Sequence, residues 1–326
     1  MADIYVAATI LWSFLFIYII LASIDFGAGF FQMTSSSTLK ITSRFLSPVW
    51  EVINVFLVFF IVGLVAFFPE ASYYYGTILL IPGSIAIILL ALRGSYFAFS
   101  LYGSKESNLY KRVYQITGLG LAAVLSAVLV ISEGVFINSG ALHIEALLKS
   151  SLFWSMTLFS MTSVIYISAS FFTYYSFIAK EDDSKRLFKK SVVGWGISSF
   201  VCAVFVVASL KLHNPVHYQN MLEIAWVFAI GVIALIWGIY FLINQHYGRA
   251  FSCTLLQFAI FFFGYGHTHM PFLLYPNVTL HSSFTNEAMA PMLLTAFFIG
   301  LVILLPCMYL LFRLFLFDRD YVQGNK

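Results

Sequence analysis

The sequence predicts an all-α, polytopic membrane protein, with about nine transmembrane helices arranged as two four-helix bundles plus one extra helix. Three observations predict it. Hydrophobic residues make up 61% of the 326 positions and charged residues only 10%, giving a mean hydropathy of +0.92. A water-soluble chain of this length needs a far more charged surface. The apolar residues fall into runs long enough to cross about 30 Å of hydrocarbon, which takes about 20 residues as helix. The 36 Phe and 19 Tyr suit a lipid-facing exterior with aromatic residues at its two interfaces.

The runs cover 5–32, 48–68, 75–101, 113–137, 151–179, 190–210, 221–243, 250–273 and 291–317. The first is too long for a signal-peptide core and has no basic region before it, so it is read as an uncleaved span. A charged connector, 180–190, leaves five spans before it and four after it. No stretch outside the runs is long enough to fold as a separate domain, so 1–326 is one integral membrane domain. With the N-terminus outside, the inner segments hold fourteen Lys and Arg and the outer loops only Lys149 and Lys211. That bias predicts a cytoplasmic C-terminus. The net charge of +3 is spread over short loops, which excludes a nucleic-acid surface. Cys202, Cys253 and Cys307 lie far apart in apolar runs and read as small core residues.

Charges inside such runs need shelter, because one at a helix centre costs about 2.5–3.5 kcal/mol on insertion scales. Asp25, Glu51 and Arg93 meet this description, and the alternation of spans puts all three in the cytoplasmic half, with Asp25 ~10 Å deep. Two readings stay open: an ion-pair cluster that lets three helices pack, or a chain of carboxylates and waters that takes up protons from the cytoplasm. Glu133, near the outer end of the fourth span, is a weaker candidate that reaches the interface. Gly27 and Gly29 beside Asp25 read as close helix contacts. The histidines fall in loops or near span ends. His267 and His269 point to different faces of one helix, a poor pair for a single metal. No haem, metal or nucleotide site is expected in this chain. A secondary transporter is the rival function, although such proteins tend to place their ion sites at the midplane on broken helices.

Five stretches carry a resemblance to subunit II of the cytochrome bd-type quinol oxidases: Ile24-Asp25-Phe26-Gly27-Ala28-Gly29-Phe30, Ser47-Pro48-Val49-Trp50-Glu51, Ala66-Phe67-Phe68-Pro69, Leu92-Arg93-Gly94, and the segment from Pro271 to Leu280. They occur in family order over nearly the whole chain. The resemblance implies a haem-free subunit of a quinol:oxygen oxidoreductase that reduces O2 to water, not active alone, in a bacterial or archaeal cell membrane. Its implied partners are a haem-bearing subunit I with b- and d-type haems, packed as a pseudo-symmetric heterodimer, a small single-helix subunit, membrane quinol and lipid. A bound structural quinone occurs in some members. The residues matching the family's proton path are Asp25, Trp50 and Glu51, with Arg93 at the family arginine and Asn54 and Glu133 as secondary candidates. The chain departs from the family pattern where Ile53 and Phe56 follow the Trp-Glu pair, and where Phe97-Ala98-Phe99-Ser100 lacks the family's acid and arginine. A water wire loses polar waypoints at both places, so structural support is the expected main duty.

Overall fold

A computed structural model describes residues 2–32, 34–102, 108–134, 136–138, 141–286, 288–316 and 322–323; side chains are not described at 2, 36, 46–51, 96–102, 108–111, 138, 311 and 315–316. The chain is helical nearly throughout. In order it forms α1 (Ala2–Gln32), α2 (Ser36–Phe67), α3 (Pro69–Ile78), α4 (Leu80–Tyr102), α5 (Asn108–Ser132), the two-residue strands β1 (Ile137–Asn138) and β2 (Ala141–Leu142), and α6 (Ile144–Lys149). It continues with α7 (Ser151–Ile178), α8 (Asp182–His213), α9 (Pro215–Glu223), α10 (Ala225–Ile243), α11 (Tyr247–His269), β3 (Phe272–Leu274), β4 (Val278–Thr279), α12 (Leu280–Ser283) and α13 (Ala290–Leu311), which runs into a π-helical turn, Phe312–Leu316.

Among the described residues, α1, α5, α7, α8, α10, α11 and α13 are each long and apolar enough to cross a bilayer. An eighth crossing counts α2 and α3 as one span bent by 119°. The third span of the sequence reading, 75–101, is interrupted: Leu79 separates α3 from α4, and the apolar part of α4 with described side chains is Leu80–Ser95. The count supported here is therefore seven or eight. The charged stretch 180–190 is helical from Asp182 onward and forms the first turns of α8.

Local sequence explains the breaks. Ser35 caps α2 in a reciprocal box with Thr38, whose hydroxyl also donates to the Phe31 carbonyl at 2.8 Å and ties the α1–α2 turn shut. Pro69 has no N–H to continue α2, so it starts α3 instead. Lys180 and Gln245 adopt left-handed φ values of 58° and 63° in the tight turns after α7 and α10.

Helix α1 is central, packing against α2, α5 and α7. The helices α1, α2, α4 and α5 form one group and α7, α8, α10 and α11 a second, joined along α1–α7 and α5–α7, with α13 against α2. Two apolar cores result. One lies toward the end that carries the α7–α8 turn; the other lies toward the opposite end, under α3, α6 and the β3–β4 hairpin. The outward faces of α8, α10 and α13 expose large apolar side chains such as Phe205, Trp237 and Val302, as lipid contact or a membrane partner requires.

Candidate functional site: two buried charged clusters at opposite ends of the helices

The first cluster joins α1, α4 and α5 near the end that carries the α7–α8 turn. Arg93 is 1% exposed and Asp25 3%. Arg93 Nε donates to Asp25 Oδ2 at 2.9 Å, one terminal nitrogen donates to the Asp25 carbonyl at 2.6 Å, and the other donates to the Tyr114 carbonyl at 2.9 Å. The remaining Asp25 oxygen, Oδ1, accepts from the Tyr114 hydroxyl at 2.7 Å. The guanidinium also lies 3.6 Å from the centre of the Tyr114 ring. Both carboxylate oxygens are thus engaged, one by a cation that does not deprotonate in proteins. Each helix is bound to the other two through this one knot.

Small residues make the knot fit. A Cβ at Gly118 would lie 2.8 Å from the Phe26 carbonyl oxygen and 2.9 Å from an Arg93 nitrogen. Gly27 and Gly29, expected to be close contacts, lie against Ser168 of α7 and Tyr114 of α5. Two turns from Asp25 on the same face of α1, the buried Tyr18 hydroxyl has no hydrogen-bond partner among the described residues.

Of the other residues singled out from sequence, Asn54 is half-buried on α2. Trp50 and Glu51 belong to α2 by their backbone, but their side chains lie outside the described residues. Asp25 and Arg93 are brought together, while Glu51, the third member of the expected ion cluster, lies outside the described side chains.

The second cluster was not assembled from sequence. Glu133, just past the end of α5, is 1% exposed. Its Oε1 lies 2.9 Å from His217 Nδ1, 2.5 Å from the donating Tyr265 hydroxyl and 3.7 Å from His269 Nδ1, while Oε2 accepts from Asn214 Nδ2 at 2.7 Å. His217 Nε2 lies 2.9 Å from the Thr268 hydroxyl, and Asn220 donates to the Thr268 carbonyl. The Leu273 carbonyl faces His269 and accepts from the Tyr75 hydroxyl at 2.6 Å. Burial pushes the Glu133 carboxyl up. The hydrogen bond and charge of His217, the charge of His269 and the Tyr265 hydroxyl outweigh it and hold the group below the usual carboxylate range.

Two signals for this cluster were present: an acid closing an apolar run and a His-x-His at the end of another. The sequence reading sent Glu133 to the interface and His217 to a loop. The structure instead buries both, with His217 on α9. Only His269 of the His-x-His joins the cluster, in keeping with the two rings facing different ways.

Fold and clusters together define a class: a multi-pass helical membrane protein whose helices are locked at both ends by buried ionic knots rather than opened around a midplane site. Comparison with known proteins narrows this. The sequence profile described as "Cytochrome bd terminal oxidase subunit II" matches residues 4–315. The "Putative cytochrome bd menaquinol oxidase subunit II" of Bacillus subtilis (strain 168) is 32% identical over 342 aligned positions, covering 99% of each chain. A chain in the structure of the bd oxidase from Geobacillus thermodenitrificans superposes with a TM-score of 0.86 at 47% identity, covering 98% of this chain and 100% of that one. This chain belongs to the cytochrome bd terminal oxidase subunit II family.

Proposed function

We propose that this chain is the haem-free, structural subunit of a bd-type quinol oxidase, and that its Asp25–Arg93–Tyr114 knot holds α1, α4 and α5 in the shape that receives the haem-bearing subunit I. The observation that carries the proposal is the full engagement of Asp25. A proton carrier needs an oxygen free to take up and pass on a proton, whereas both carboxylate oxygens of Asp25 are occupied, one by a guanidinium and one by a phenol. The missing polar positions at Ile53 and Phe56, both part of or next to the apolar core, point the same way. Haems b and d are assigned to subunit I, since the histidines of this chain lie at helix ends or in connecting segments rather than within the membrane core. The basic residues early in α2, Lys40 and Arg44, and early in α8, Lys185, Arg186, Lys189 and Lys190, support a cytoplasmic position for that end, with the N-terminus outside. A single-helix subunit, lipid and a structural quinone are the remaining partners, and protons for O2 reduction reach the haems by a route other than Asp25. The transporter alternative lacks support, because the buried ionic clusters among the described residues sit toward the two ends of the helices and not at the midplane.

Asp25→Asn in the assembled oxidase tests this. The expected result is turnover within about twofold of the parent in whatever fraction assembles, together with a lower unfolding temperature of the complex. A collapse of oxygen consumption in fully assembled, haem-replete enzyme of unchanged thermal stability would return Asp25 to the proton path.

A further inference from the structure

We propose that Glu133, His217 and His269 form a binding site for a divalent transition-metal ion of the zinc class at the α3–α9 end of the molecule. The donor atoms of the three side chains lie within 4.8 Å of one another. Two imidazoles and a carboxylate are a common zinc donor set, and an oxygen-loving ion such as calcium or magnesium would not select it. Ligands held tetrahedrally at 2.0–2.2 Å from zinc stand roughly 3.3 Å apart. The two nitrogens facing Glu133 Oε1, at 2.9 and 3.7 Å, bracket that spacing.

The hydrogen-bond pattern gives a second, independent reason. The Thr268 hydroxyl has the Tyr265 carbonyl 2.9 Å away, within its own helix, and is engaged there as donor. With its proton placed there, the hydroxyl turns a lone pair to His217 Nε2, and a neutral His217 protonated on Nε2 turns the lone pair of Nδ1 toward Glu133. Nδ1 and Glu133 Oε1 are then two acceptors 2.9 Å apart, and a positive species must lie between them: a second proton or a metal ion. His269 favours the metal. Its Nδ1 turns toward the same oxygen at 3.7 Å, beyond hydrogen-bond reach, in the position of a third ligand. A proton shared by Glu133 and His217 does nothing for His269, whereas an ion between the three engages all of them. Outer partners of the kind that orient metal ligands are already in place: Thr268 on His217, and Asn214 and Tyr265 on Glu133. A metal ion here would clamp the ends of α5 and α11 to α9. No redox change and no role in oxygen reduction is assigned to it.

The test uses the purified oxidase complex, dialysed against a chelator, freed of it and titrated with Zn2+, with metal content and X-ray absorption at the zinc edge as readouts. The expected result is one zinc ion per complex, bound through two imidazoles and a carboxylate, and lost or weakened at least tenfold in both His269→Ala and Glu133→Gln. His267→Ala, next to the site but outside it, should bind zinc as the parent does. Retained haem absorption and a single size-exclusion peak show that each variant is assembled. Equal zinc binding by the parent, His269→Ala and Glu133→Gln overturns the proposal. So does the absence of stoichiometric zinc in the parent, which would leave a proton as the only species between Glu133 and His217.

Discussion

Replacing Arg93 by leucine should be the most damaging single change in the chain, lowering the stability of the subunit by about 3–5 kcal/mol, the usual cost of removing one partner of a buried ion pair. The loss has several parts. Asp25, with a 4% exposed side chain, would lose its cation and keep only the Tyr114 hydroxyl as a side-chain hydrogen-bond donor among the described residues. The carbonyls of Asp25 and Tyr114 would lose their guanidinium donors as well. Arg93→Lys should recover only part of the loss, because a single ammonium does not reproduce the planar fork that serves three acceptors on two helices. The double variant Asp25→Leu/Arg93→Leu should be less harmful than Arg93→Leu alone, since no uncompensated charge remains. Yield of assembled complex and thermal unfolding in detergent measure all three. Equal damage from the single and double leucine variants would show that the charge balance is not what matters at this knot.

Gly134→Ala should give the second large effect. Gly134 has φ +78°, in the left-handed region, and a Cβ placed there would overlap the backbone carbonyl of Tyr275. The conformation alone costs a non-glycine residue of order 1–3 kcal/mol. Here the obstacle is backbone and not a flexible side chain, so the β3–β4 hairpin must move. That movement breaks the bond from the Tyr275 N–H to the Ser132 carbonyl, 2.9 Å long, and disturbs the Tyr75 contact with Leu273. Hydrogen exchange should show residues 272–279 losing protection while the α7–α8 end stays unchanged. Gly194→Ala makes the control: it lies in α8 with nothing within 4 Å of the added atom. A helix-interior Gly→Ala there should stabilise by about 0.4–1 kcal/mol.

The contrast between the two clusters shows how much of the site was legible in the sequence. Asp25 and Arg93 stood out because a charge in a 20-residue apolar run needs a physical explanation, and span alternation alone put them at the same depth. Their partner Tyr114 was not legible: a tyrosine near a helix end is ordinary, and only packing brings its hydroxyl and carbonyl to the other two. Glu133 and His217 were read as peripheral because each lies at the edge of an apolar run, where hydropathy cannot separate an interfacial residue from a buried one. Their meeting depends on α9 folding over the end of α5, a tertiary event with no spacing signature across a sequence separation of 84. The fold itself was legible at the level of long helices. The break at Leu79 was passed over because it falls inside apolar sequence, although Pro82, three residues on, is the kind of signal that marks a helix end. The Phe68–Pro69 bend was legible, since proline cannot continue a helix.

The two knots also differ in when, during synthesis, they are able to close. Asp25, Arg93 and Tyr114 all precede the α7–α8 turn, so the first half of the chain carries every member of its own lock as it leaves the ribosome. Glu133 belongs to that same half, yet Asn214, His217, Tyr265 and His269 all come from the second. One end of the nascent protein is therefore self-sufficient, while the other stays unlatched, with an unneutralised acid at its edge, until α11 has been inserted. Membrane integration of this chain is in that sense a one-way sequence, with the final clasp made only when both halves are present.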